Sequence, residues 1–177
     1  MSARLAALFA AALSFAGAAP CVLGQVIYTT TLAGSAEVPP NASPGVGTAT
    51  ITYSPATSIM SLSMSFSGIT VATTSAHIHC CTSSTMNAGV ATQTPGFIGF
   101  PAGVTAGTYG NTFDMTLSGS YNPAFVTTSG GLEAALQRLL DAMGSGTAYL
   151  DIHSVPFPGG ELRGNLVEQS IFLNCFD

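Results

Sequence analysis

The chain contains three histidines, His77, His79 and His153, and all of them fall inside two short motifs. The first is Ala76-His77-Ile78-His79-Cys80-Cys81. The second is Tyr149-Leu150-Asp151-Ile152-His153, followed closely by Pro158-Gly159-Gly160-Glu161-Leu162-Arg163-Gly164. On a strand, His77 and His79 leave the same face while Ile78 points the other way, and His153 shares a face with Asp151 and Tyr149. Two such strands side by side bring three neutral imidazoles together, a donor set that suits copper or zinc and leaves a further position open. Asp151 is then a candidate fourth ligand or an acceptor that orients a ring. A free Cys80 or Cys81 thiolate is a further candidate ligand for copper. One ion can be shared only if the three rings stand within about 8 Å of each other, because metal–nitrogen bonds are near 2.0–2.1 Å. The competing reading is structural: a histidine near a strand end donates to a backbone carbonyl and holds a loop. A bare His-x-His does not separate the two readings; the absence of any other histidine raises the metal reading to stand beside the structural one.

Glu161 and Arg163 share a strand face directly after Gly159-Gly160, whose backbone freedom suits a tight turn into the strand. Arg163 is one of only two basic residues beyond Arg4, so a structural ion pair between Glu161 and Arg163 is expected. No nucleophile elbow of the Gly-x-Ser-x-Gly kind and no glycine-rich phosphate loop occurs. No catalytic residues are assigned on this pattern.

Composition narrows the function classes. Charged residues make up 6% of the chain, hydrophobic residues 47%, and the net charge is −5, with no lysine at all. A nucleic-acid binder needs a basic stripe to neutralise phosphates, and two isolated arginines cannot supply one. Attraction to an anionic membrane fails for the same reason. Residues 1–24 read as a secretory signal, with Arg4 ahead of the apolar stretch Leu5–Phe15, which is too short to span a bilayer. Cleavage after Ala18 or after Gly24 is compatible with the small residues there. The expected organisation is therefore a signal over 1–24, one domain over 25–167 and a C-terminal tail over 168–177, in a secreted or extracytoplasmic protein without a membrane span in its mature part. Export permits disulfides. Adjacent cysteines close a small ring that disfavours a bond between them, so Cys175 is expected to pair with Cys80 or Cys81 and pin the tail.

The elements that must carry these residues are strands. Met60, Leu62, Met64 and Phe66 alternate with four serines, and Ala49, Ile51 and Tyr53 alternate with threonines. This period of two predicts a hairpin turned by Ser54-Pro55-Ala56-Thr57. Further strands are expected at 26–32, 75–79, 112–117, 147–153 and 161–167. The segment from Thr82 to Gly110 reads as one long Gly-, Pro- and Thr-rich loop, of a length that often carries function. One helix is expected where Leu132, Leu136, Leu139, Leu140 and Met143 form an apolar stripe that Gly144 ends. Short strands with polar outer faces predict an all-β fold, an antiparallel sandwich with one short helix; the His-x-His on such a strand makes it dismutase-like by analogy alone.

Five segments taken in order carry a family resemblance: Leu32-Ala33-Gly34-Ser35-Ala36-Glu37-Val38-Pro39-Pro40, Gly45-Val46-Gly47-Thr48-Ala49, Ala76-His77-Ile78-His79, Gly146 through His153, and Pro158 through Gly164. Together they resemble the CHRD domain, the module named for its repeats in chordin, over roughly residues 30–166. The chain departs from the family pattern where Cys80 and Cys81 follow the His-x-His and where Asp151 stands at a position often occupied by Asn. The resemblance implies an all-β, immunoglobulin-like sandwich and an exported binding or structural module whose partner, an extracellular protein or a metal, is not specified. The alternative is an extracytoplasmic copper- or zinc-binding protein centred on His77, His79 and His153, and beyond it a redox enzyme of dismutase type.

Overall fold

A computed structural model describes residues 24–169. Eight strands form one antiparallel sheet: β1 (Val26–Ala33), β2 (Val46–Ser54), β3 (Ile59–Ser67), β4 (Thr73–Cys80), β5 (Gly107–Asp114), β6 (Ala148–Ser154), β7 (Leu162–Asn165) and β8 (Val167–Gln169). Their order is β4-β6-β7-β1-β2-β3-β5, with β8 also on β1. The sheet curls into a sandwich-like half-barrel, so the fold is all-β and antiparallel as the alternation predicts. The predicted hairpin is β2–β3, in register from Val46 opposite Ser67 to Ser54 opposite Ile59. Its inward residues Ile51, Met60, Leu62 and Met64 are buried, and Thr48, Thr50, Ser63 and Ser65 face water.

Two helices cover the core. The expected one is α2 (Leu132–Gly144), which buries Ala135, Leu139, Ala142 and Met143. The other, α1 (Pro123–Ser129), was not expected, although its signals are local: Asn122 caps the first turn through Ala124 N–H, Pro123 occupies N1, and Gly130 ends it in the left-handed region. Seven residues are too few for apolar periodicity to show. Strand β5 begins at Gly107, five residues before the alternation Phe113, Met115, Leu117 suggests, and ends at Asp114. Glycines at 107 and 110 hide its first half. The expected last strand divides into β7 and β8 at Leu166, which turns inward and is fully buried.

The site depends on the β4–β6–β7 end. Antiparallel pairing sets Ser75 opposite His153, His77 opposite Asp151, and His79 opposite Tyr149, with Asp151 opposite Arg163 on the far side. Every residue of β6 is buried. One face of these strands, with Ala76, Ile78, Leu150 and Ile152, packs into the apolar core. The opposite face, which a two-layer fold would leave to water, is closed over by the segments 83–98 and 155–160.

Candidate metal centre

The three imidazoles meet. Ring centroids lie 5.0 Å apart for His77 and His153, 5.6 Å for His79 and His153, and 5.7 Å for His77 and His79. Their facing nitrogens all lie within 4.8 Å of one another. Two ligands bonded to one ion at 2.1 Å stand at most about 4.2 Å apart. Closing the remaining gap of about 0.6 Å takes a small rotation of each side chain, given those bond lengths.

Each ring uses its two nitrogens differently. His77 Nε2 bonds to the Pro95 carbonyl at 2.8 Å, His79 Nδ1 to that of Ala88 at 2.9 Å, and His153 Nδ1 to that of Pro158 at 3.1 Å. A carbonyl only accepts, so the bonded nitrogen carries the proton and the other nitrogen keeps its lone pair. Those other nitrogens, His77 Nδ1, His79 Nε2 and His153 Nε2, are buried and have no partner. Three unpaired acceptors converging in one buried place are costly unless something supplies what they lack. Burial also keeps the rings neutral. It lowers His79 and His153 to about 4, helped in each case by repulsion from another imidazole, and lowers His77 in the same direction.

A second layer of charge lies behind the rings. Asp151 is 1% exposed and its Oδ2 stands 3.9 Å from His79 Nε2. Burial first, and then the neighbouring Glu37 carboxyl, raise Asp151 well above the usual carboxylate range; Arg163 opposes this. Burial likewise raises Glu37. Two buried carboxyls in contact share a proton more readily than they carry two charges. Gly160 makes room for them: with φ +132° it has no Cβ, and one built there would stand 2.6 Å from both Glu37 Oε1 and Asp151 Oδ2.

Two expectations fail here. Glu161 and Arg163 do not form an ion pair; among the described residues the one short contact between oppositely charging groups is that of His79 with Asp151. Glu161 accepts from Ser43 Oγ at 2.6 Å, Thr70 N at 2.8 Å, Thr70 Oγ1 at 2.7 Å and Ser154 Oγ. Burial acts to raise its pKa, but these donors outweigh it and hold the carboxyl below the usual range. Arg163 instead donates to Asn87 Oδ1, Ser84 O and Met86 O. Both groups are buried, and each charge is satisfied by its own set of neutral partners, hydroxyls and an amide for Glu161, loop oxygens for Arg163, instead of by the other charge.

The cysteines also differ from expectation. Cys80 and Cys81 are bonded to each other, their Cα atoms 3.1 Å apart across a cis peptide at the end of β4. The pair packs on the core side, with Cys81 Sγ 3.8 Å from the Arg138 carbonyl of α2. Alternation puts Cys80 on the opposite face from His77 and His79, so no thiolate joins the imidazoles. Cys175, the expected partner, lies outside the described residues.

Residues that the motifs did not announce complete the centre. The carbonyls of Ala88, Pro95 and Pro158 come from loops, and Ser43, Thr70 and Ser154 surround Glu161; backbone acceptors and scattered hydroxyls leave no pattern in a sequence. A separate groove of about 890 Å³ runs beside Phe97, Tyr121 and Val126 and has no charged lining residue. It approaches the centre only through Ser75 and Pro95.

Four of the five segments of the family resemblance therefore meet at this end of the sheet, Glu37 lying against Asp151 and Gly160, while Gly45–Ala49 leads into β2. Asn41 Nδ2 donates to Glu161 O at 3.1 Å, joining the Glu37 segment to the Gly160 segment beside the histidine strands. The family model of the CHRD domain matches residues 28–166, and the chain belongs to that family. No curated protein and no solved structure matches it significantly. CHRD domains are binding or structural modules, and among the described residues no helix is long and apolar enough to cross a membrane.

Proposed function

We propose that this CHRD module is an exported metal-binding protein that holds one copper or zinc ion through His77 Nδ1, His79 Nε2 and His153 Nε2. The observation that supports it is the polarity of the three rings: each is tied down by its outer nitrogen to a backbone carbonyl, while its inner nitrogen is buried and unpaired. A merely structural histidine would need only the outer bond. Bonds from ring N–H to carbonyls are also what orient metal-ligating histidines. Three neutral imidazoles leave an open position for water, for Asp151 or for an external ligand. The nearby carboxyls offset part of a divalent charge. The signal-like leader over residues 1–24 supports export, and the disulfide suits an oxidising compartment.

The test is metal analysis after purification without chelator, followed by copper and zinc titration in a calorimeter. One ion per chain is expected, lost in the His77→Ala/His79→Ala variant. A wild-type protein that takes up neither metal removes the proposal. A superoxide assay on the copper form separates a redox enzyme from a binding module, since binding without turnover leaves only the module.

A further inference from the structure

Arg163 is fully buried and its guanidinium lies 3.5 Å over the ring of Tyr149. The Tyr149 ring in turn stacks on His79, with centroids 4.9 Å apart and planes 5° from parallel. Three flat groups thus form one column that ends on a ring of the candidate metal centre. Their polar ends all reach the same loop. Arg163 donates from Nη2 to Met86 O at 3.0 Å and Ser84 O at 3.3 Å, and from Nη1 to Asn87 Oδ1 at 3.0 Å. The Tyr149 hydroxyl accepts from Ala88 N at 3.1 Å and donates to Ala88 O at 3.4 Å. That same Ala88 oxygen takes the proton of His79 Nδ1.

We propose that Tyr149 and Arg163 are positioning residues of the histidine centre, fixing the tautomer of His79 by holding the segment 84–88 so that the Ala88 carbonyl meets Nδ1. The inference rests on the metal-binding reading for its purpose, though not for its geometry. Residues 83–87 are exposed, and a solvated loop of this kind has no core of its own to set the direction of one carbonyl. The buried column supplies that direction from beneath. An arginine suits the role because its planar fork stacks on a ring while its donors reach three separate acceptors; a lysine ammonium has donors but no plane to stack. With the proton held at Nδ1, the lone pair of Nε2 faces His77 Nδ1 and His153 Nε2. A ring free to carry its proton on Nε2 would present a donor to the metal instead.

Long-range proton–nitrogen correlation spectra of the metal-free protein read the tautomer directly. Wild-type His79 is expected as the Nδ1–H form. Tyr149→Phe keeps the stack and nearly the same volume but loses the hydroxyl, and should move His79 to a mixture of tautomers. Its copper affinity should fall roughly tenfold, the low end of what removing an outer partner of a metal-bound histidine does. Arg163→Lys keeps the charge and should not restore wild-type affinity, and its copper electron-paramagnetic spectrum should be shifted. Circular dichroism and the thermal midpoint of each metal-free variant identify any that fails to fold; Tyr149→Phe is the variant expected to keep both. A wild-type His79 already mixed, or a Tyr149→Phe protein with the wild-type tautomer, overturns the positioning role. A wild type that binds neither copper nor zinc removes the metal reading instead, and the tautomer spectra still decide this one.

Discussion

In β2 and β3 one face is apolar and buried while the other is made largely of serine and threonine and meets water. In β4 from Ala76 onward, and in β6 and β7, the same alternation operates, yet neither face is wet. The face opposite the core there carries His77, His79, His153, Asp151, Tyr149 and Arg163, all of them buried. The difference lies in the connections. The β2–β3 turn is four residues long and covers nothing, whereas the segments after β4 and after β6 fold back over the sheet. Alternation alone sorts side chains into two sets. Whether the polar set becomes a solvated surface or a buried centre is decided by what the loops cover.

The largest expected effect lies at the buried end. His77→Ala/His79→Ala should abolish copper and zinc binding measured by calorimetry while leaving the β-sheet circular dichroism in place. A variant that still binds one ion would show that the two ends differ in burial only. At the hairpin end the corresponding loss is one of packing. Leu62→Ala, at 2% exposure, should cost about 2–5 kcal/mol in denaturant titration, with no effect on metal affinity.

Acid should also distinguish the two ends. His79 and His153 sit near 4 in the folded state, below the ordinary 6.5 of the unfolded chain. The unfolded state therefore binds more protons between these values, and stability falls as pH drops from 6.5 toward 4. Each imidazole contributes roughly 3 kcal/mol across that window at 1.36 kcal/mol per unit. Asp151 and Glu37, raised in the folded state, act with the opposite sign. The comparison is accordingly made between wild type and His153→Asn, whose difference in midpoint should change across the window; a constant difference would mean that the ring is not held neutral. Glu161→Gln comes next, at about 1.5–3 kcal/mol, the usual worth of hydrogen bonds to a charged group. It should destabilise without altering metal affinity, because none of its hydrogen bonds is to an imidazole. Ser63→Ala on the wet face should be the smallest, within about 0.5 kcal/mol. A larger loss there would mean that the hydroxyl face is covered in solution.

Much of this was legible in the sequence because it is local information. The serine–methionine alternation of β3 dictates a half-buried strand, the leucine stripe of α2 dictates an amphipathic helix, and the spacing of His77 and His79 dictates one shared face. The order of five short segments was enough to point to the CHRD family. The sequence could not say which nitrogen of each imidazole would be free, because the carbonyls of Ala88, Pro95 and Pro158 arrive from loops whose path is set by packing. Nor could it give Arg163 its true partners. Charge complementarity along one strand suggested Glu161, but the tertiary structure surrounds that carboxylate with hydroxyls and stacks the arginine on Tyr149. The bond between Cys80 and Cys81 likewise depends on how the chain leaves β4. Sequence determined which side chains share a face; only the tertiary structure decided that loops would cover this face, which leaves one nitrogen of each imidazole buried and unpaired.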